Sequence, residues 1–305
     1  MGDPAGVGPE IIIDALCEFS ARPVVVFGER AVLERAKRMS PNPRASALEL
    51  TLVETSVESK YSDGIASAAS GRASIASIEG ATQACLSGDF AALITTPINK
   101  TALRLAGSSF PGHTEMLASL CGDRSVAMMF ASNALNVMLV TIHLSLRDAI
   151  DAISTETVAR AIQQAHDAAP WLSINGQRPR IAVAGLNPHA SEDGLFGQEE
   201  ALYIEPAIRE CQMRGIDVSG PYPPDTIFMR AKRGEFDIVV AMTHDHGLIA
   251  VKLDGIDHAV NVTVGLPFLR ASVDHGTAYD IAWRGAASSK NLLHVLNWAH
   301  SAISK

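Results

Sequence analysis

Short β-branched apolar runs alternate with longer Ala-rich stretches along this chain, and that rhythm narrows the folds open to it. Seven runs read as strands: 23–28 (PVVVFG), 48–54 (LELTLVE), 90–96 (FAALITT), 136–143 (NVMLVTIH), 180–186 (RIAVAGL), 236–243 (FDIVVAMT) and 259–265 (AVNVTVG). Helix-favouring stretches lie at 65–86, 155–169, 199–214 and 277–284. Such alternation predicts an α/β fold with a largely parallel sheet and helices on its faces. The continuous apolar character of the runs agrees, since parallel strands are covered on both sides. All are strand-sized, far short of the roughly 20 residues that cross a bilayer. The opening MGDPAGVGPE has no signal-peptide pattern, so the expectation is a cytoplasmic protein without a membrane partner.

With 305 residues, 47% of them hydrophobic, the chain can build one large or two medium domains. Its net charge of -8 comes from acids spread along the sequence, with no basic cluster. That pattern argues against nucleic acid as a partner. Cys17, Cys85, Cys121 and Cys211 show no CxxC spacing and read as small apolar residues in a reducing compartment. The segment GDPAGVGPE reads as a βα loop entering a helix, with Pro9 in the first turn and Glu10 beside the positive end of the dipole. A loop of that kind follows a strand, so a strand is expected ahead of Met1.

Ligands of parallel α/β sheets bind beyond the carboxyl ends of the strands, and the polar residues of this sequence collect there. His143 ends a predicted strand, and His189 and His244 each follow one. Imidazole suits zinc, cobalt or nickel, and a three-histidine site with open positions is catalytic in type. A single strand-end histidine is more often structural, and the spacings match no short zinc motif. Gly112, His113 and Thr114 open a predicted helix over 115–121. They read either as an anion cradle or as a plain cap with Thr114 as the capping residue. Lys252, Asn261 and Arg270 suit a phosphate or carboxylate, or else surface ion pairs. No GxGxxG, GK[ST] or GxSxG motif is present. Glu192, Asp193 and Asp245 leave a metal-dependent hydrolase open, and a non-catalytic phosphometabolite-binding protein is the other alternative.

Taken in order, MGDPAGVGPEI, TTPINK, GHTEML, TIHLSL, NPHASEDGLFGQEE, GPYPPDTIF, AMTHDHG, VNVTVGLPFLR and SVDHGTAYDIA resemble the 4-hydroxythreonine-4-phosphate dehydrogenase family, including its 4-phospho-D-threonate and 4-phospho-D-erythronate dehydrogenase relatives. The resemblance implies a two-lobed α/β/α fold like isocitrate and isopropylmalate dehydrogenases, with the active site in the interlobe cleft. The first lobe is expected at 1–105 plus 266–305, and the second, with the dimer interface, at 106–265. The resemblance also implies a homodimer with a shared active site. In it His143, His189 and His244 bind a divalent metal (zinc, magnesium or cobalt), one of them coming from the partner subunit. His113, Thr114, Lys252, Asn261 and Arg270 match the family's substrate contacts, with Lys252 as a candidate for moving the proton. The implied reaction is NAD- or NADP-linked oxidation with decarboxylation. The favoured substrate is 4-phosphooxy-L-threonine, giving 3-amino-2-oxopropyl phosphate in pyridoxal phosphate biosynthesis; the alternative is 4-phospho-D-threonate or 4-phospho-D-erythronate in sugar-acid catabolism. The sequence departs from the family pattern at His246 (HDHG for HDQG), at Ala271 where threonine is expected and at Trp283 where glycine is expected, and His258 stands just before the VNVT strand. His246 reads as a supporting or surface residue more readily than as a fourth ligand.

Overall fold

The computed structural model describes residues 1–21, 23–55, 60–132, 134–172, 178–255 and 259–304; His258 lies outside them. The chain divides into two compact units, Met1–Ser125 with Leu266–Lys305, and Val126–Gly265. Residues 106–125, expected with the second lobe, belong to the first unit because the helix they carry packs against its longest helix.

In chain order, the first segment holds α1 (Gly8–Glu18), β1 (Val25–Gly28), α2 (Arg30–Met39), β2 (Thr51–Glu54), α3 (Ala68–Leu86), β3 (Ala92–Thr95), α4 (Lys100–Leu105) and α5 (His113–Leu120). The second unit holds β4 (Ala127–Ala131), β5 (Asn136–Leu139), α6 (Leu146–Asp151), α7 (Thr155–Asp167), β6 (Ile181–Ala184), α8 (Glu205–Met213), β7 (Val218–Tyr222), α9 (Ile227–Lys232), β8 (Ile238–Ala241), α10 (His244–Gly255) and β9 (Val260–Val264). The chain then returns to the first unit with β10 (Leu269–Ser272) and α11 (Lys290–Ile303).

In the first unit β1 pairs in parallel with β2, and β10 in parallel with β3. α3 begins with a reciprocal cap between Ser67 and Ser70, which satisfies donors that the first turn leaves open. It packs on α4, β1, β3 and α5. Pro9 sits in the first turn of α1 as expected. Glu10, however, is buried, and its carboxylate accepts the backbone N–H groups of Trp283 and Gly285. That contact explains why 277–284 is a chain of turns and not the predicted helix. Ala278 and Trp283 have φ of 43° and 61°, outside the helical region, and Glu10 takes the N–H that a helix would use internally. Trp283 is nevertheless buried, donates through its indole N–H to the Pro4 carbonyl, and lies under the Arg35 guanidinium at 4.0 Å.

The second unit has the strand order β9-β4-β5-β8-β6-β7. β5, β8, β6 and β7 are parallel neighbours. β4 runs antiparallel to both β5 and β9, so the sheet is mixed at that side. β6 and β8 are buried at every position, which matches their unbroken apolar sequence. Phe130, Val137, Leu139, Val239, Leu248 and Val251 form the centre of the core. All four cysteines are free thiols, Cys85 and Cys211 being buried. Among the described residues, no helix is long and apolar enough to cross a membrane.

Candidate active site

The three strand-end histidines all fall in the second unit, just past the carboxyl ends of neighbouring parallel strands: His143 after β5, His244 at the start of α10 after β8, and His189 after β6. The adjacent β5 and β8 remain tied beyond their ends. Val140 donates to the Ala241 carbonyl at 2.9 Å, and the Thr141 hydroxyl donates to the Met242 carbonyl at 2.8 Å. This coupling brings the His143 and His244 rings to 6.0 Å between centroids. Two imidazoles on one cation stand about 4.5–5.5 Å apart by centroid, given a metal–nitrogen bond of about 2.1 Å, so the pair lies near the spacing that a shared metal needs. His244 Nδ1 lies 2.8 Å from an Asp245 carboxylate oxygen. A carboxylate only accepts, so the ring proton sits on Nδ1 and Nε2 keeps its lone pair for a ligand bond.

His189 is not brought into that pair. Its ring lies 6.1 Å from Phe196, and no group of three or more His, Cys, Asp or Glu side chains is gathered around a metal position among the described residues. His189 instead opens a run of five non-glycine residues in the left-handed region, through Ala190, Ser191, Glu192 and Asp193 (φ 55°, 53°, 68°, 47° and 54°). Each such residue costs about 1 kcal/mol or more, so the turn needs support. Glu200, fully buried, supplies it: its carboxylate accepts the N–H of Leu186 (2.8 Å) and Asn187 (2.7 Å) and the Asn187 side-chain amide (2.9 Å). His143 also has a positive φ of 50°. His246 is half-buried, and burial pulls its pKa below the usual histidine range, with the Asp245 charge opposing. Its Nδ1 is closed to solvent.

The other predicted residues divide between the units. In the first, Arg270 on β10 is buried and donates to the Thr95 hydroxyl at the end of β3, 2.7 Å away. Desolvation lowers its pKa to about 10, with Glu115 opposing, so it stays cationic near neutral pH. His113 is the first residue of α5, after a Gly112 cap that uses no side-chain bond; Thr114 is therefore inside the helix and does not cap it. The His113 residue is half-buried, but its Nε2 is sealed from solvent and unpaired. Desolvation, with the Arg270 charge adding to it, holds its pKa well below the usual range. A neutral imidazole, a fixed guanidinium and the N–H groups at the start of α5 are together suited to an anionic group. In the second unit Asn261 lies on β9 with its Oδ1 buried and unpaired, and Lys252 lies exposed two turns along α10 from His244.

The profile of the family described as pyridoxal phosphate biosynthetic protein PdxA matches residues 20–299. The chain belongs to the PdxA family. It is 44% identical to the D-threonate 4-phosphate dehydrogenase of Salmonella typhimurium, over 96% of this chain and 94% of that protein. It is equally, 44%, identical to the 4-hydroxythreonine-4-phosphate dehydrogenase of Beijerinckia indica subsp. indica, over 98% of this chain and 92% of that one. A solved structure of 4-hydroxythreonine-4-phosphate dehydrogenase from Klebsiella pneumoniae matches with a TM-score of 0.91 at 40% identity, covering 100% of this chain and 97% of that chain. A distant likeness to isocitrate dehydrogenase from Methylococcus capsulatus (TM-score 0.50, 16% identity, 99% of this chain and 84% of that chain) places the PdxA fold beside that architecture, as expected from the sequence. Sequence reasoning missed Thr95, Asp245 as the partner of His244, and Glu200. Thr95 and Glu200 lie inside the quoted TTPINK and NPHASEDGLFGQEE segments, but hydrogen-bonding partners distant in sequence are invisible there.

Proposed function

We propose that this protein oxidises the secondary alcohol of a 4-phosphorylated four-carbon hydroxy acid, using NAD or NADP, and that the resulting β-keto acid loses carbon dioxide. The observation that carries this reading is the oriented His143–His244 pair in a chain whose relatives at 44% identity are dehydrogenases of two such acids. In the proposed site His143 and His244 bind a divalent metal from one subunit, and His189 binds it from the partner. The split is supported by the left-handed turn that holds His189 apart from the other two within one chain. Zinc fits the all-imidazole donor set best, with magnesium or cobalt as alternatives. Bound there, a divalent cation supplies Lewis acidity at the substrate oxygen and stabilises the charge that develops as carbon dioxide departs.

The residues of this chain do the rest. Asp245 holds His244 in the tautomer that presents Nε2. Arg270, kept cationic and fixed by Thr95, binds an anionic end of the substrate, and neutral His113 offers a hydrogen bond beside it without adding a second buried charge. Thr114 and Asn261 supply further polar contacts, and Lys252 is the candidate that returns a proton to carbon after decarboxylation. The carbinol hydrogen leaves as hydride to the nicotinamide and the hydroxyl proton goes to solvent, so one ketone and one reduced cofactor form per alcohol.

The family resemblance and the name of the Beijerinckia relative favour 4-phosphooxy-L-threonine as substrate, whereas the name of the Salmonella relative favours 4-phospho-D-threonate. Incubating the protein with NAD or NADP, a divalent metal and each acid, while following reduced cofactor at 340 nm, tests the reading. Turnover of at least one acid is expected, and the larger kcat/KM names the substrate. Absence of turnover with all of them by metal-loaded protein would rule the dehydrogenase out.

A further inference from the structure

The buried carboxylate of Glu200 spends its hydrogen bonds on the segment that leads to His189. One oxygen accepts the N–H groups of Leu186 and Asn187, and the other accepts the Asn187 side-chain amide. Asn187 donates the same amide group to Glu199 at 2.8 Å, and that bond is the main cause holding the Glu199 carboxyl below the usual carboxylate range. Carboxylates only accept, so the amide nitrogen of Asn187 is fixed between the two acids and its oxygen is turned away from them.

The Asn187 carbonyl accepts the Ala190 N–H at 3.1 Å and closes a four-residue turn, with Pro188 second and His189 third. His189 has φ 55° and ψ 22° there, left-handed backbone held without the freedom of a glycine. The helix that follows is shaped for the same contact. Pro206, in the first turn of α8, offers no N–H to the Leu202 carbonyl. The chain meets it with a π turn over Glu200–Ile204, closed by the Glu205 N–H on the Glu200 carbonyl. Gly185, just past β6, leaves the room. A Cβ there would stand 2.9 Å from the Ala190 Cα and 3.1 Å from a Glu200 carboxylate oxygen.

We propose that Glu200 is a positioning residue of the metal site put forward above. Through Asn187 it fixes the direction in which His189 is presented to the partner subunit, and so sets the affinity of that site for its cation. The inference rests on the reading of His189 as a ligand supplied to the partner. The carboxylate matters here, not its volume. In Glu200→Gln the new N–H group faces the Asn187 amide, donor against donor. Rotating Asn187 by half a turn relieves that contact but points its oxygen at the Glu199 carboxylate. Turning the glutamine over sets its N–H group against the Leu186 and Asn187 N–H groups instead. No arrangement of these amides satisfies every neighbour.

Zinc affinity of the dimer, measured by competition with a chromogenic chelator, tests this. His189→Ala should lose zinc, as the shared site requires. Glu200→Gln should stay dimeric and bind zinc about 10- to 100-fold more weakly than the unsubstituted protein. Gly71→Ala, which crowds α3 against α4 in the other unit, should leave zinc affinity unchanged and so separates positioning from a general loss of stability. If Glu200→Gln does not fold, Asn187→Ala, which removes the amide and keeps the backbone N–H groups, should weaken zinc by about tenfold. Unchanged zinc affinity in Glu200→Gln, or in Asn187→Ala where that is the variant used, beside a loss in His189→Ala would overturn this proposal alone, as would an equal loss in Gly71→Ala. Undiminished zinc affinity in His189→Ala would overturn the metal reading and this inference with it.

Discussion

His113 ties the chemistry of a single residue to a measurable stability. Desolvation, reinforced by Arg270, keeps its folded pKa well below the value of about 6.5 that it has in an unfolded chain. The unfolded state therefore binds more protons as pH falls, and stability that is complete above about pH 6.5 is lost on acidification toward the folded pKa. Denaturant unfolding at pH 7.5, 6.5 and 5.5 should show that loss, and His113→Gln should flatten it. An unchanged pH slope in the variant would mean that His113 is not the buried neutral base described. At this scale the sequence was legible where position follows strand ends, as His143, His189 and His244 stand just past β5, β6 and β8. It was not legible where a side chain serves a distant backbone. Glu10 looked like a helix-dipole residue and instead anchors Trp283 and Gly285. Thr114 looked like a cap, yet α5 starts one residue earlier.

At the scale of elements, the helices of the first unit leave no spare volume where α3 crosses α4. A Cβ on Gly71 would collide with the carbonyl oxygen of Ala102 and crowd the Ala106 methyl. Rigid backbone cannot yield as a side chain can, so Gly71→Ala should destabilise the protein by about 1–3 kcal/mol, read as a lowered denaturation midpoint with an unchanged m-value. A neutral substitution would show that α3 and α4 are not so closely packed. The seven strands expected from β-branched runs all formed, shortened at their ends. β4, β7 and β10 escaped notice for separate reasons. AMMFA has no β-branched residue, VSGPY contains a Gly-Pro pair that signals a turn, and LRAS carries an arginine and a serine that are buried only because Thr95 and the packing around β10 receive them. The antiparallel placement of β4 was equally hidden, since it depends on a short connection between β4 and β5 and not on composition.

At the scale of the molecule, the α/β class followed from the strand–helix rhythm, whereas the division at Ser125 and Val126 depends on packing between α3 and α5 that spacing does not encode. The proposed metal site raises the same issue one level higher, because a sequence does not say which copy of a chain a ligand would serve. His143 and His244 face each other, His189 stands apart on a strained and well-braced turn, and the proposed homodimer completes the trio. Subunit complementation tests this directly. His143→Ala and His189→Ala should each be folded, dimeric and inactive. Unfolded together and refolded as an equal mixture, they should form hybrid dimers with one intact site, and random pairing then restores roughly a quarter of wild-type activity. No recovery in a mixture shown to contain hybrid dimers would contradict a metal site shared between subunits.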